Sequence, residues 1–422
     1  MKSMAAPHVV FLQGLPSSFF TRLAQRLAQS GWRTTGINLC AGDQLFWQGP
    51  STVNYRGSLD GWPAFIGDFY DREGVTDIVL LGERRSYHQL AISAAHRRNI
   101  RVTVTDFGYL RPDWMAFERD GMGGDSHFPK DPDAIRDLAG NTPTPDLSRQ
   151  YTDSFWTMAI GDMAYHFGNF FLFFLFPFYR RPYKRDHPLV HYIAIGKRLL
   201  LAGRRQQEAM LRIRDGHQRS IPYFLFPLQL ENDFQIVAYS PFECMEEAIV
   251  RIVRSFALNA EPEVRLWVKV HPLDPGMKNW KKRILQHADQ YAVAHRIDYF
   301  DGGDLDAMIG GSIGVVTINS TVGIRALQLN RPVMALGQAI YQVPGLTYQD
   351  GLDRYWTGAQ PPDAGLVNDF ISAVCNTLQI RGVFYSEPGL SAAINAAADR
   401  LLTDRVGVAA AIRGDDHERS DS

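Results

Sequence analysis

The segment F-L-Q-G-L-P-S-S-F-F at Phe11–Phe20 has the form of a buried strand that ends in small and polar residues and then enters a helix. Two later segments have the same form: V-K-V-H-P at Val268–Pro272 and T-I-N-S-T-V-G at Thr317–Gly323. In α/β proteins such strand ends expose backbone N–H groups to anionic ligands. One segment lies in the first half of the chain and two lie in the second half. This distribution predicts two α/β lobes with a nucleotide-sugar cleft between them.

Apolar runs alternate with helical patterns throughout the first half of the chain. The predicted strands are His8–Leu12, Thr34–Leu39, Thr76–Leu81 and Ile100–Thr105. Short connections between such elements are typical of a parallel, doubly wound sheet. Functional residues in these sheets gather at the carboxyl ends of the strands. The candidates for one wall of the cleft are therefore Gln13, Asp43, Glu83 and Asp106.

The second half shows the same alternation. Its predicted strands are Tyr223–Leu228, Glu263–Val270, Val293–Asp298, Ile313–Thr317 and Val333–Ala335. The fold class that we expect is α/β, with two Rossmann-like lobes. The predicted organisation is an N-terminal acceptor and catalytic domain at 1–165, a linker at 166–220, a C-terminal domain for the sugar nucleotide at 221–405, and a disordered tail at 406–422.

Composition excludes several classes of protein. The chain has 422 residues, of which 45% are hydrophobic, so it can form two full cores. Its formal net charge of −1 gives no signature of nucleic-acid binding. The three cysteines show no spacing typical of a zinc site or a disulfide framework. The first ten residues lack the apolar core of a signal peptide. We therefore expect a cytoplasmic protein with structural thiols.

An aromatic run, F-F-L-F-F-L-F-P-F-Y at Phe170–Tyr179, lies between the predicted lobes and is followed by R-R-P-Y-K-R. Ten residues are too few to span a bilayer, which needs about 20. From Arg180 to Arg219 there are eleven Lys or Arg residues and three Asp or Glu residues. Aromatic rings beside positive charge are typical of peripheral contact with an anionic membrane. A buried helix followed by a solvated basic helix is the alternative.

The second half contains candidates for binding a phosphate. His271 follows an apolar strand and precedes a proline, so its ring can project from the strand end and donate to a phosphate oxygen. Lys269 faces the same side by strand alternation and can add positive charge. The hydroxyls of Ser320 and Thr321 lie at a predicted helix start, where such groups either cap the helix or bind phosphate. Asn319 lies in the same loop.

Polar residues also follow the first strand of the second half. Gln229, Asn232, Asp233 and Gln235 form this group, which suits hydrogen bonding to a sugar or to cytidine and also suits an ordinary loop. Two D-x-D matches, Asp131/Asp133 and Asp304/Asp306, do not follow apolar strands as a metal-binding pair would. We therefore predict no metal requirement.

The motifs taken together resemble one family. They are Q-G-L-P-S-S-F-F, N-L-C-A-G-D-Q-L-F-W, D-F-G-Y-L-R-P-D-W, P-L-Q-L-E-N-D-F-Q-I, Y-S-P-F, V-K-V-H-P-L-D, I-N-S-T-V-G and G-Q-A-I-Y-Q-V-P-G-L, in this order from Gln13 to Leu346. The chain resembles the capsule polysaccharide synthesis proteins of the KpsS/LipB type over most of its length.

The resemblance implies a retaining β-Kdo glycosyltransferase of GT-B-like architecture. Such an enzyme takes Kdo from CMP-Kdo and starts the poly-Kdo linker of the capsule on phosphatidylglycerol or lyso-phosphatidylglycerol at the inner membrane. It implies a KpsC-like transferase and the capsule export machinery as partners. In that family the H-P histidine and the later Ser/Thr pair bind CMP, which maps to His271, Ser320 and Thr321 here.

A retaining mechanism needs a nucleophile that attacks the anomeric carbon and is later displaced by the acceptor. Asp106, which stands where family members commonly carry Glu, is the first choice, and Glu83 or Asp43 is the fallback. The alternative for Asp106 is capping of the turn before Gly108. Arg111 can pair with the carboxylate of Kdo in a bidentate contact or can hold Asp113 or Glu118 of the chain.

Two other functions remain open at this level. A non-catalytic scaffold of the export complex would use the same basic and aromatic surface. Another GT-B enzyme, or a sugar-nucleotide epimerase, would share the H-P and Ser/Thr pair but would act on CMP-sialic acid or a UDP-sugar.

Overall fold

The computed structural model describes residues 6–140, 142–181, 188–231 and 234–407. The predicted donor-site residue Asp233 and the tail from 408 onward lie outside these ranges. The strands are β1 (His8–Phe11), β2 (Arg33–Asn38), β3 (Thr52–Asn54), β4 (Asp77–Leu81), β5 (Arg101–Phe107), β6 (Trp114–Arg119), β7 (Tyr223–Pro227), β8 (Arg265–Lys269), β9 (Ile297–Phe300), β10 (Gly314–Thr317), β11 (Val333–Ala335) and β12 (Gln379–Arg381).

The helices are α1 (Phe19–Gln29), α2 (Ala41–Phe46), α3 (Trp62–Glu73), α4 (Ser86–His96), α5 (Pro132–Gly140), α6 (Phe155–Phe171), α7 (Pro188–Leu200), α8 (Ala202–Gln218), α9 (Phe234–Tyr239), α10 (Met245–Asn259), α11 (Trp280–Asp289), α12 (Leu305–Gly310), α13 (Val322–Gln328), α14 (Leu352–Gly358), α15 (Ala364–Thr377) and α16 (Gly389–Leu402). Short 3₁₀ turns occur at Gly123–Asp125, Phe173–Leu175 and Ala294–Arg296.

The chain folds as two compact units. The first, the N-terminal unit, comprises 6–128, 138–181 and 372–407 of the described residues. The second, the central unit, comprises 129–137, 188–231 and 234–371. Each unit contains one sheet with helices around it, so the predicted α/β fold class with two Rossmann-like lobes is confirmed.

The sheet of the N-terminal unit has the order β12-β6-β5-β4-β1-β2-β3. Strands β1 to β5 are parallel, as the alternating pattern predicts. Strand β6 instead returns antiparallel to β5. The loop from Phe107 to Trp114 is too short for a parallel crossover, which needs a dozen or more residues. From β1, strands β2 and β3 are added on one side of the sheet, and β4 and β5 are added on the other side. The position between β1 and β4 is therefore a topological switch point.

The C-terminal part of the chain belongs to the N-terminal unit. Strand β12 pairs antiparallel with β6, and α16 packs against α1. This differs from the predicted domain of 221–405, because the end of the chain covers the edge of the first sheet instead of the second. Residues 129–137, predicted within the first domain, lie in the central unit.

The central unit has a fully parallel sheet in the order β11-β10-β7-β8-β9. Strands β7, β10 and β11 are buried along their whole length, as expected when both faces of a sheet are covered. The predicted strand Val293–Asp298 differs from the structure, since Ala294–Arg296 forms a 3₁₀ turn before β9 begins at Ile297. The order reverses between β7 and β10, so a second switch point lies there.

The predicted linker at 166–220 is divided between the two units. Helix α6 and the aromatic run belong to the N-terminal unit, whereas α7 and α8 belong to the central unit. Side chains of the run are largely exposed: Phe171 by 64%, Phe173 by 66%, Phe174 by 60% and Phe178 by 61%. The alternative of a buried helix is therefore wrong for these four residues. Of the run Phe170–Tyr179, all of which the structure describes, only Phe176 is buried.

His88 fixes the end of β4 from the first turn of α4. Its Nδ1–H donates to the carbonyl oxygen of Gly82 at 2.7 Å, and the ring is fully buried. Burial lowers the pKa of His88 to about 3 from the usual 6.5. The unfolded chain therefore takes up this proton at a higher pH than the folded protein does.

The sign of this difference predicts a loss of stability as pH falls. The contribution of His88 is complete above pH 6.5 and is lost progressively toward pH 3. From pH 6.5 to 5 the free energy of unfolding should fall by about 2 kcal/mol because of this group. His88→Asn keeps a donor near the Nδ1 position and cannot titrate. Urea unfolding at pH 7.5 and 5.0 should therefore show a smaller loss for H88N; equal losses would contradict the assignment.

Candidate functional site

Gln13 and Asp43 meet at the carboxyl ends of β1 and β2. Gln13 Nε2 donates to Asp43 Oδ2 at 3.0 Å. The same oxygen accepts the backbone N–H groups of Leu39 at 2.9 Å and Cys40 at 3.2 Å, where α2 begins. The two residues predicted to share a cleft wall are thus in direct contact, and the helix start holds the carboxylate in place.

Three further side chains complete this cluster and were missed from the sequence. Tyr165 of α6 donates its hydroxyl to Asp43 Oδ1 at 2.9 Å, and its oxygen lies 3.2 Å from the Cys40 sulfur. Gln13 Nε2 also lies 3.2 Å from the Tyr179 hydroxyl. The signal was available in α6, where Tyr165 lies one turn from Asn169 on the same helix face.

Burial determines the protonation of this cluster. Removal of Asp43 from water raises the pKa of its carboxyl, and the hydrogen bonds from Leu39, Tyr165 and Gln13 act in the opposite direction. Burial also raises the pKa of the Cys40 thiol, and the nearby Asp43 adds to the effect. Cys40 is therefore an inert thiol at neutral pH, in agreement with the structural role expected for it.

A small pocket, partly open to solvent, lies beside the cluster within the N-terminal unit. Its polar lining includes Gln13, Ser17, Asn38, Asp43 and Tyr165. Gln13 Oε1 is buried and accepts no hydrogen bond from the part of the chain that the structure describes. A ligand hydroxyl is the kind of group that would satisfy such an oxygen.

Glu83 and Asp106 lie at the ends of the neighbouring strands β4 and β5. Glu83 is buried, and Asp106 is half-buried, with its Oδ1 accepting the Phe107 N–H at 2.7 Å. Gly82 has a positive φ of 63°, and a Cβ placed on it would be 4.0 Å from Asp106 Oδ2. The Asp106 carboxylate therefore lies over the turn that leads to Glu83, so the structure brings these two candidates to one edge.

Strand β12, near the end of the chain, supports the loop that carries Arg111. Gln379 of β12 accepts the Leu110 N–H at 3.0 Å, and a Cβ on Gly108 would be 2.6 Å from the same Gln379 oxygen. Arg111 is exposed, and its guanidinium lies 5.4 Å from the centre of the Phe107 ring. Asp113, one of the two carboxylates expected as an alternative partner of Arg111, accepts two backbone N–H groups and contacts Arg381.

In the central unit, Gln229 and Asn319 join the ends of β7 and β10. Gln229 Nε2 donates to Asn319 Oδ1 at 3.0 Å, and the Asn319 N–H donates back to Gln229 Oε1 at 3.3 Å. Asn319 Nδ2 donates to the Gln235 carbonyl at 2.8 Å. These two predicted donor-site residues thus fix the geometry of the switch point through each other.

The hydroxyls of Ser320 and Thr321, which could either cap a helix or bind phosphate, differ in their roles in the loop before α13. Ser320 Oγ accepts the Val322 N–H at 3.2 Å and therefore caps this turn. Thr321 is the N-cap residue, but its side chain makes no capping hydrogen bond. The Ser320 carbonyl accepts the Tyr341 hydroxyl at 2.6 Å. Tyr341, which the sequence analysis did not single out, thus anchors the loop.

His271 and Lys269 have different surroundings after β8. His271 Nδ1 accepts the Leu273 N–H at 3.1 Å, so in the neutral ring the proton is on Nε2. An Nε2–H group is a donor suited to a phosphate oxygen. Lys269 is buried, and its Nζ donates to the Gly302 carbonyl at 3.0 Å, while burial lowers its pKa. This contact favours a role in positioning the loop after β9.

The D-x-D residues serve the local structure. Asp304 caps α12 by accepting the N–H groups of Asp306 and Ala307. Asp306 forms an ion pair with Arg325, which lowers the pKa of its carboxyl. Within the described ranges, no three His, Cys, Asp or Glu side chains are grouped as a metal site. The same ranges contain no helix that is both long enough and apolar enough to cross a bilayer.

Sequence relatives cover nearly the whole chain. The capsule polysaccharide modification protein LipB of Neisseria meningitidis serogroup A is 29% identical over 399 residues, covering 91% of this chain and 93% of LipB. The capsule polysaccharide export protein KpsS of Escherichia coli is 28% identical over 386 residues, covering 89% and 96% of the two chains.

Among solved structures, the β-Kdo 2,7 transferase part of Thermosulfurimonas dismutans KpsC aligns with 93% of this chain and 99% of that chain, with 13% identity and a TM-score of 0.44. A model of the family described as capsule polysaccharide biosynthesis protein matches residues 76–385, which is well over half of the chain. Motifs from both units lie in the matched segment. The chain belongs to the capsule polysaccharide biosynthesis protein family.

Proposed function

We propose that this protein is a retaining β-Kdo glycosyltransferase, which transfers Kdo from CMP-Kdo to a phosphatidylglycerol-type lipid to start the capsule linker. The observation that carries the proposal is the arrangement at the carboxyl edge of the central sheet. There the neutral ring of His271 has its proton on Nε2, which makes this nitrogen a donor, and Gln229 and Asn319 join the ends of β7 and β10. In a member of a capsule biosynthesis family, this arrangement suits the phosphate of a nucleotide sugar.

The donor site would act by stabilising the leaving group. When the bond between the anomeric carbon and the phosphate oxygen breaks, negative charge increases on CMP. His271 Nε2–H would donate to that phosphate. The hydroxyl of Ser320 still has a proton to donate while its oxygen accepts the Val322 N–H. A single phosphate with these donors needs no metal ion, and we propose that the enzyme uses none.

The N-terminal unit would provide the nucleophile. In the first step the Asp106 carboxylate attacks the anomeric carbon, forms a covalent bond to Kdo and expels CMP. In the second step the acceptor hydroxyl attacks the same carbon, displaces the carboxylate and loses its proton to a base. Glu83 lies at the neighbouring strand end and would be that base, while Arg111 would pair with the Kdo carboxylate.

The remaining partners follow from this product. A lipid that carries one Kdo is the substrate for a transferase of the KpsC type, which would extend the linker before capsule export. The acceptor places the reaction at the inner face of the inner membrane.

His271→Ala should lower kcat for transfer by about 100-fold or more, because one donor to the developing charge is lost. Transfer would be measured as the lipid-Kdo product by mass spectrometry. His295→Ala is the matched control, since His295 is an exposed histidine in the same unit, and it should leave turnover unchanged. Near-normal turnover of H271A would show that the donor site is assigned incorrectly.

Gly323→Ala should weaken CMP binding by about tenfold through the loss of the Ser320 loop geometry. A Cβ at Gly323 would lie 2.5 Å from the Tyr341 hydroxyl, which holds the Ser320 carbonyl. Gly310→Ala is the control, because a Cβ there meets nothing within 4 Å. Calorimetric titration with CMP measures both variants. Equal CMP affinities of G323A and the wild type would show that the Ser320 loop does not contribute to the nucleotide site.

Asp106→Asn should abolish the covalent intermediate. Incubation of the protein with CMP-Kdo in the absence of acceptor should add the mass of one Kdo residue to the intact chain. The D106N variant should show no such addition, and the exposed control Asp133→Asn should show the normal amount. An adduct that persists in D106N and disappears in Glu83→Gln would move the nucleophile to Glu83.

A further inference from the structure

Helix α6 has its polar and apolar faces reversed relative to an ordinary surface helix. Toward the unit, Tyr165 donates to Asp43, and Asn169 Oδ1 accepts the Gly42 N–H at 2.7 Å. Gly161 lies on the same face, where a Cβ would be 2.5 Å from the Pro16 carbonyl oxygen. Toward solvent, on the opposite face, lie Trp156 and Phe171, exposed by 68% and 64%. Helices that pack on a core normally show the opposite arrangement.

The exposed apolar surface continues beyond the end of α6. We define the aromatic surface as Trp156, Ile160, Phe171, Phe173, Phe174 and Phe178, each at least 60% exposed. Together these side chains expose on the order of 700 Å², because a large aromatic side chain has about 150–250 Å² in total. The largest apolar patch of a typical monomer is about 300–600 Å². Exposure of so many large apolar side chains along one stretch of chain is typical of an interaction site.

The charges beside this surface identify its partner. Arg180 and Arg181 directly follow the aromatic run, and both are exposed. Within α6 itself, Asp162 is the one carboxylate, and His166 lies 3.3 Å from it. Exposed Trp and Phe next to arginine match the boundary between acyl chains and anionic headgroups, where rings partition and cations are attracted.

We propose that the aromatic surface, with Arg180 and Arg181, is an interfacial membrane-binding surface that inserts into the headgroup region of an anionic bilayer. The inner face of the same helix supplies Tyr165 to the pocket beside Asp43. Binding would therefore bring that pocket to the level of the lipid headgroups. This last step rests on the proposed function, which expects a lipid acceptor, but membrane binding itself requires neither donor nor transfer.

The test uses the full-length protein and flotation with vesicles of phosphatidylcholine, with and without phosphatidylglycerol. Wild type should float with the anionic vesicles. Phe173→Ser combined with Phe174→Ser should reduce vesicle binding at least tenfold. Leu258→Ser, which removes a side chain 64% exposed on α10, should bind as wild type does. Arg180→Gln with Arg181→Gln should weaken binding to anionic vesicles about fivefold per arginine and should not affect residual binding to neutral ones.

Trp156 provides an independent signal. The other seven tryptophans are buried or half-buried, so phosphatidylcholine with brominated acyl chains should quench mainly Trp156, and Trp156→Phe should remove most of the quenching. Failure of the wild type to bind anionic vesicles would overturn the proposal. So would a wild-type dimer that F173S/F174S converts to a monomer without a change in vesicle binding, because the surface would then bind a second copy.

The double variant also separates this proposal from the proposed function. F173S/F174S should still transfer Kdo to a short-chain, water-soluble phosphatidylglycerol, while it loses transfer on vesicles. Vesicle binding by a protein that transfers no Kdo to either acceptor would support the membrane surface and contradict the transferase.

Discussion

The parallel alignment of the central strands in each sheet is the constraint on which both candidate sites depend. In each sheet the parallel strands end at one edge. The loops at that edge diverge where the strand order reverses, between β1 and β4 in one sheet and between β7 and β10 in the other. Polar groups in these loops are largely withdrawn from water and must be satisfied by each other. Gln13 with Asp43, and Gln229 with Asn319, do this in the two units. The same hydrogen bonds therefore stabilise the fold and shape the sites.

The two sites solve this problem with different chemistry. The central unit uses neutral amides, whose reciprocal hydrogen bonds carry no net charge and need no counterion. The N-terminal unit buries a carboxyl, whose pKa is raised by the loss of water around it. Such a group is tolerated because two backbone N–H groups and two side chains donate to it. A site of this kind is sensitive to any change in the elements that bring these donors, α6 included.

The sequence allowed prediction of the features that depend on local pattern. These features are the apolar strands, the two lobes and the position of Gln13 and Asp43 at one edge of the first sheet, because parallel strands end at a common edge. Features that depend on distant pairing could not be predicted. Strand β12 joins β6 from more than two hundred residues away, and a three-residue strand has little pattern of its own.

The direction of individual side chains was the second feature that the sequence could not predict. Alternation placed Lys269 on the side of His271, but the ammonium group turns to the Gly302 carbonyl, which lies in a loop that alternation does not describe. Tyr165 was missed because its spacing from Asn169 marks a polar helix face but does not name the partner of that face. Its polar role becomes visible only when Asp43 is known to face it.

The orientation of α6 shows why its outer face needs a separate explanation. A half turn about the helix axis would bury Trp156 and Phe171, which hydrophobicity alone favours. It would also remove Tyr165 from Asp43 and Asn169 from the Gly42 N–H, leaving a buried carboxyl with fewer donors. Loss of such donors costs more than a typical net hydrogen bond contributes. The polar contacts therefore fix the rotation of the helix. Folding places no demand on the residues that face outward, and their apolar character is explained only by a partner that covers them.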